Sequence, residues 1–250
     1  MHPILFSIGP ITIYMYGLFM AAAFMTGIGW TMREARERGL NEERVHTLSL
    51  IAAGGAILGA RGLYVLINPT YYINHPAEII QFWSGGLVFS GGFVVAVLGG
   101  YLYMRSQNEP LFDWMDAIAI SMPLAQAVGR VGCLFAGCCY GGECSLPWGV
   151  TFTDPDSLAP LGIELHPTQV YHSLAGLTTF AILFFASKKI TKPGVIAGMY
   201  LVLFPVFRII IEFFRSDYRG DAGIMSATQM IALLICIPGL YLIFRKTNTE

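Results

Sequence analysis

Charged side chains are scarce in this sequence. Lysine and arginine number 15, aspartate and glutamate 16, and together they make 12% of 250 residues. A soluble domain carries about 25%, so an ordinary water-exposed surface is excluded. The net charge of −1 leaves no basic field for nucleic acid. The start, Met1-His2-Pro3-Ile4-Leu5-Phe6, lacks the basic region and small-residue cleavage site of a signal peptide and reads as mature sequence. No internal repeat, low-complexity tract or linker divides the chain, so a single transmembrane domain over 1–250 is expected. No Cys-x-x-Cys pair is present, which removes the usual signature of a thiol-redox protein.

What is abundant is apolar: 55% of residues, with a mean hydropathy of +0.60. Seven apolar stretches stand out, at about 11–31, 46–67, 85–104, 114–132, 168–187, 194–213 and 226–244. Each is close to the roughly 20 residues that a bilayer requires of a helix. The expected fold is therefore all-α, a polytopic membrane protein of about seven transmembrane helices. Basic residues set its orientation. Arg33, Arg36, Arg38, Arg44, Arg105, Lys188, Lys189, Lys192, Arg245 and Lys246 fall on one side, and only Arg215 and Arg219 on the other. This places the N-terminus outside, the C-terminus in the cytoplasm, and an outer-side loop at 133–167 between spans four and five.

Several polar groups sit where a membrane should exclude them. Arg130 closes the fourth stretch, within Gly129-Arg130-Val131-Gly132, where the chain then turns glycine- and cysteine-rich in the manner of a tight, ordered loop. An arginine costs about 2.5–3.5 kcal/mol at mid-bilayer on insertion scales, less near the interface, so something must offset it, and a bound anion is one candidate. That same stretch is the weakest of the seven, because it also holds Asp116 and Gln126. The sixth ends Arg208-Ile209-Ile210-Ile211-Glu212-Phe213-Phe214-Arg215, whose charges at i, i+4 and i+7 would share one helix face. Such a set is either an ion network holding the bundle together or a carboxylate orienting guanidinium forks that grip phosphate. Arg61, in a glycine-rich span, reads first as structural.

Cys133, Cys138, Cys139 and Cys144 follow a C-x4-C-C-x4-C spacing. Disulfides are the first expectation for an outer loop. A metal or iron–sulfur site, or packed and reactive thiols, are the other readings. His166-Pro167-Thr168-Gln169-Val170-Tyr171-His172 leads into span five. Thr168 or Gln169 would cap that helix, and His166 stands at a helix N-terminus, where anions bind. Tyr14 and Tyr16 suit an interfacial belt. The two Gly-Gly pairs of Trp83-Ser84-Gly85-Gly86-Leu87-Val88-Phe89-Ser90-Gly91-Gly92 predict an irregular start to span three.

Together these motifs resemble the bacterial prolipoprotein diacylglyceryl transferases. Gly-Arg-x-Gly, Tyr-Gly-Leu in span one, W-x-G-G-L-x-F-x-G-G, H-P-T-Q-x-Y and R-x-x-x-E-F-F-R occur in the family's order through nearly the whole chain. The resemblance implies an enzyme of the bacterial cytoplasmic (inner) membrane. It moves diacylglyceryl from phosphatidylglycerol to the lipobox cysteine of prolipoprotein signal peptides, among membrane lipids, and needs no metal or other cofactor. It implies catalytic roles for Arg130, Arg208, His166 and Tyr16. Substrate binding would fall to the two arginines with Glu212, Arg215, Ser90, Gly91, Gly92, Gly141 and Gln169. Two departures stand out. Ser90 replaces a histidine often proposed for catalysis in the family, and Cys133 and Cys138 replace its asparagine and glutamate. With that histidine missing, the proton of the incoming thiol passes either to His166 or to the departing phosphate. The competing reading is a lipid or anion transporter or scramblase lined by the same arginines; the absence of inverted repeats argues against it.

Overall fold

The computed structural model describes residues 2–9, 11–215, 221–222 and 225–245; Met1, Arg219 and Lys246 lie outside the described residues. The elements run β1 (Ile4–Ile8), β2 (Ile11–Tyr14), α1 (Met15–Glu37), α2 (Glu43–Ile67), α3 (Pro69–Asn74), α4 (Phe89–Ser106), α5 (Leu111–Ala136), β3 (Val150–Thr151), β4 (Glu164–Leu165), α6 (Thr168–Ser187), α7 (Val195–Glu212), β5 (Asp221–Ala222), β6 (Met225–Ser226) and α8 (Ala227–Phe244). Short 3₁₀ turns at Pro76–Ile80 and Phe82–Ser84 link α3 to α4. Helices α1, α2, α5, α6 and α7 are long and apolar enough to cross a membrane. Helices α4 and α8 coincide with the other two expected spans, and the described part of α8, Gln229–Phe244, is a shorter apolar helix. Phe185, Leu234, Ile237 and Tyr241 are more than half exposed, a surface suited to lipid rather than water. The chain is an all-α, polytopic membrane protein.

Three boundaries differ from expectation. Residues 11–14 pair with β1 in an antiparallel hairpin, so the first helix starts at Met15. The third span becomes helical only at Phe89, because Gly85 and Gly86 take φ of +89° and +68°, a conformation that breaks a helix and that glycine tolerates best. Helix α5 runs on to Ala136, so Arg130 lies more than a turn inside it and Cys133 falls in its last turn. Its end is a Schellman motif. Gly137 takes φ +73°, its N–H bonds to Leu134 O at 3.2 Å, and Cys138 N–H reaches back to Cys133 O at 3.1 Å.

The chain divides into two compact units, Ala35–Trp114 and the remainder. In the larger unit, small residues let helices touch. A side chain at Gly132 would meet Phe19 Cβ at 2.8 Å, Gly27 faces Ala125, and Phe19 stacks on Phe135 at 5.3 Å, so α1 lies directly on α5. Gly176 brings α6 against the Pro123 carbonyl of α5, and Gly198 and Gly239 bring α7 against α8. Ile120, Leu183 and Ile196 form the centre, packed against Trp30, Phe180 and Leu203.

Asp116 and Gln126, which weaken the fourth span in the sequence, have structural partners here. The fully buried Asp116 carboxylate accepts Gly194 N–H at 2.9 Å and Ala197 N–H at 2.8 Å, capping the start of α7 from a neighbouring helix. Gln126 Nε2 donates to Tyr200 Oη at 3.0 Å. Beyond Gly137 the connecting loop has its own small core of Phe152, Ala159 and Leu165 over Leu134 and Tyr140.

In the Ala35–Trp114 unit, α2 and α4 cross almost backbone to backbone. A Cβ on Gly91 would lie 2.3 Å from Gly59 O, and one on Gly92 2.5 Å from Ala56 O. Arg61 is buried and donates to Ile79 O at 2.9 Å, Glu78 O at 2.5 Å, Gly85 O at 2.8 Å and Gly86 O at 3.3 Å. It stitches the irregular approach to α4 onto α2, which is the structural role.

Candidate active site

Four helix ends of the larger unit meet at one place: the start of α1, the end of α5, the start of α6 and the end of α7. Arg130 stands six residues before the end of α5, about 9 Å at 1.5 Å per residue. His172 lies four residues into α6, and Arg208 four before the end of α7, each about 6 Å deep by the same rise. Arg130, Arg208 and Arg215 are near enough to act electrostatically on His172, and Arg130 on Tyr16, Cys133 and Cys139.

The guanidinium groups are held differently. Arg208 Nη1 pairs with Glu212 Oε2 at 2.8 Å and lies 3.3 Å from His172 Nε2, with both charged side chains about 10% exposed. Arginine can only donate, so His172 accepts through Nε2 and carries its proton on Nδ1. Arg215 does not share the helix face expected of it. Helix α7 ends at Glu212, where Phe214 N–H and Arg215 N–H turn back to Ile211 O and Glu212 O. Arg215 Nη1 then reaches Cys139 O at 3.4 Å. Arg130 has no hydrogen bond and no ion pair among the described residues, although it is half-buried.

Thr168 and Gln169 do not cap α6, whose N-cap is Pro167 with no side-chain cap. Both are fully buried and donate to the cysteine loop instead: Thr168 Oγ1 to Cys139 O at 2.6 Å, Gln169 Nε2 to Cys138 O at 2.7 Å. The expected disulfides are not formed; all five cysteines are free. The sulfurs of Cys133, Cys138 and Cys139 instead converge within 4.8 Å of one another. Donation from the Cys133 and Cys138 thiols, then the charges of Arg130 and Arg215, hold the Cys139 thiol well below its ordinary range. Cys138 moves the opposite way, because its proton is engaged by its two neighbours.

Gly141 joins three segments. Its N–H donates to His166 O at 2.9 Å, Gly142 N–H to Phe214 O at 2.9 Å, and a Cβ on Gly141 would sit 2.4 Å from Phe214 O. His166 Nδ1 lies 3.2 Å from Tyr171 Oη, which also accepts Trp148 Nε1–H at 2.9 Å, and its ring meets Phe214 edge-on. Among the described residues it bonds to neither arginine. Tyr16 is 42% exposed in the first turn of α1.

A family model described as prolipoprotein diacylglyceryl transferase matches residues 3–245. The chain belongs to this family. A phosphatidylglycerol–prolipoprotein diacylglyceryl transferase of Clostridium tetani is 34% identical over 250 residues, spanning 98% of this chain and 100% of the relative. That of Symbiobacterium thermophilum is 34% identical over 246 residues, 96% and 91% of the two chains. A second such enzyme of Clostridium perfringens is 30% identical over 242 residues, 97% and 94%.

In this member of the transferase family, Ser90 lies in the Ala35–Trp114 unit, exposed in the first turn of α4 and with no hydrogen-bond partner among the described residues. The contact of Gly91 and Gly92 with α2 accounts for their identity without reference to substrate. The sequence reading passed over His172, the histidine that touches an arginine. A histidine is costly inside a membrane helix, and its i+4 spacing from Thr168 puts it on the face that meets the cysteine loop. Those two signals would have singled it out.

Proposed function

We propose that this chain transfers the diacylglyceryl group of phosphatidylglycerol to the lipobox cysteine of prolipoproteins in the bacterial cytoplasmic membrane, with seven spans and its N-terminus outside. The observation that carries this reading is Arg130, a guanidinium inside a membrane helix with no hydrogen bond and no carboxylate partner among the described residues, near the same His172 as an Arg208 already oriented by Glu212 and that histidine. A lipid phosphate bound by both would answer their charge. Arginine forks bind phosphate bidentately, and fixed donors in a water-poor site are the strongest means of stabilising a leaving anion.

The reaction displaces phosphate from a glycerol carbon. The thiol sulfur forms the new C–S bond, the C–O bond to phosphate breaks, and glycerol phosphate departs with the bond's electron pair. Arg130 and Arg208 receive the growing negative charge. His172 has its Nε2 lone pair committed to Arg208, so it serves as a positioning residue. The Nδ1 of His166 faces Tyr171, which favours passage of the thiol proton to the departing phosphate. Tyr16 borders the same space from α1, and Thr168 and Gln169 keep the adjoining loop in place. Gly141 allows that loop to close against the end of α7.

Incubating the purified protein with labelled phosphatidylglycerol and a lipobox peptide tests the proposal. Thioether-linked diacylglyceryl peptide and stoichiometric glycerol phosphate are expected. Lipid movement between leaflets with no lipidated peptide would instead establish the transporter.

A further inference from the structure

We propose that Cys133, Cys138 and Cys139 form a three-thiolate site for a single thiophilic divalent cation of the zinc class. Their sulfurs lie within 4.8 Å of one another. Zinc–sulfur bonds of about 2.3 Å in tetrahedral geometry would place them about 3.8 Å apart, so small side-chain adjustments complete the site. Three protein ligands leave a fourth position for water or another donor.

The backbone is built to bring these sulfurs together. The Schellman motif at Gly137 folds Cys138 back over Cys133, in the last turn of α5. In an extended strand, adjacent residues such as Cys138 and Cys139 would point to opposite faces. Cys139 instead takes φ +60°, a left-handed conformation that is uncommon outside glycine, asparagine and aspartate, and both sulfurs fall on one side. That conformation is held in place by Thr168 and Arg215 on the Cys139 carbonyl and by Gln169 on that of Cys138. A cation would meet ligands already ordered, which limits the entropic cost of binding. Three thiolates around a divalent ion carry one net negative charge, and Arg130 and Arg215 both act electrostatically on this cluster.

A disulfide fits the trio less well. A trans peptide sets neighbouring Cα atoms about 3.8 Å apart, below the roughly 4.4 Å at which disulfides usually begin, which disfavours Cys138–Cys139. Either remaining pairing strands the third sulfur. Cys144 is not in the cluster; its N–H pairs with Glu164 O at 3.0 Å.

The test uses the full chain in detergent, reduced, stripped with chelator and titrated with cobalt(II) as the optical probe. One cobalt per chain with sulfur-to-cobalt charge-transfer absorption is expected, displaced by one equivalent of zinc(II). Cys138→Ser and Cys139→Ser should each weaken binding by more than the roughly tenfold to hundredfold that loss of a supporting group costs. Cys144→Ser and Cys236→Ser should bind as the parent does. Zinc protection against alkylation, read by mass spectrometry on the unaltered chain, should cover Cys133, Cys138 and Cys139 and spare Cys144. No stoichiometric cobalt, full binding by Cys139→Ser, or a disulfide within the trio in protein alkylated at lysis would overturn the proposal.

Discussion

His172 Nε2 lies 3.3 Å from Arg208 Nη1 and ties α6 to α7 across the candidate site. The same guanidinium meets Glu212 at 2.8 Å, one turn further along α7. Arg208 is thereby fixed between an acceptor on each helix, before any substrate enters.

His172→Gln offers a replacement acceptor and should keep transfer within a few-fold of the parent. His172→Leu removes it and should slow transfer by about tenfold to a hundredfold, the scale of a misplaced group near the chemistry. The split between kcat and KM distinguishes positioning from lost stability. Equal activity in both variants, at equal Tm, would remove His172 from the account.

Much of this architecture was legible in the sequence, because membrane helices carry a long, unambiguous signal. The stretch expected at 168–187 is α6 with the same bounds, and that at 46–67 ends where α2 does. The two arginines were legible because charge inside a span is costly and therefore conspicuous. What the sequence did not disclose depends on contacts between distant segments. Nothing local says that Asp116 caps a helix 78 residues later, or that Thr168 and Gln169 turn away from their own helix toward Cys139 and Cys138. The cysteines misled for a related reason. Their spacing permitted disulfides, whereas the left-handed turn at Cys139, invisible in composition, gathers three sulfurs at once.

Asp116→Ala should destabilise the protein more than it alters chemistry. Two hydrogen bonds from backbone N–H groups to a buried carboxylate are lost, each worth about 1.5–3 kcal/mol. A clear fall in Tm is expected, with near-parent specific activity in the fraction that remains folded. An unchanged Tm would contradict the capping role.

Gly141→Ala should nearly abolish transfer, since a methyl group there would lie 2.4 Å from Phe214 O and 2.6 Å from His166 Cβ. Gly29→Ala, in α1 with nothing within 4 Å, is the control and should gain up to about 1 kcal/mol of helix stability. Parent-like transfer by Gly141→Ala would show that the loop closure is dispensable.

Ser90→Ala should retain substantial activity, because a serine hydroxyl is no base near neutral pH without activation. His166→Gln should keep near-parent rates and an unaltered pH profile if the thiol proton leaves on phosphate. Loss of activity at every pH in His166→Gln would make that histidine the base.

The most direct measurement is the transfer rate of Arg130→Ala and Arg130→Lys with labelled phosphatidylglycerol and a lipobox peptide, at matched membrane levels of protein. Arg130→Ala should lose at least about a hundredfold, as removal of a donor to a developing anion does. Arg130→Lys should recover little, because a point charge lacks the planar fork. Parent-level transfer by Arg130→Ala would contradict the account at its centre.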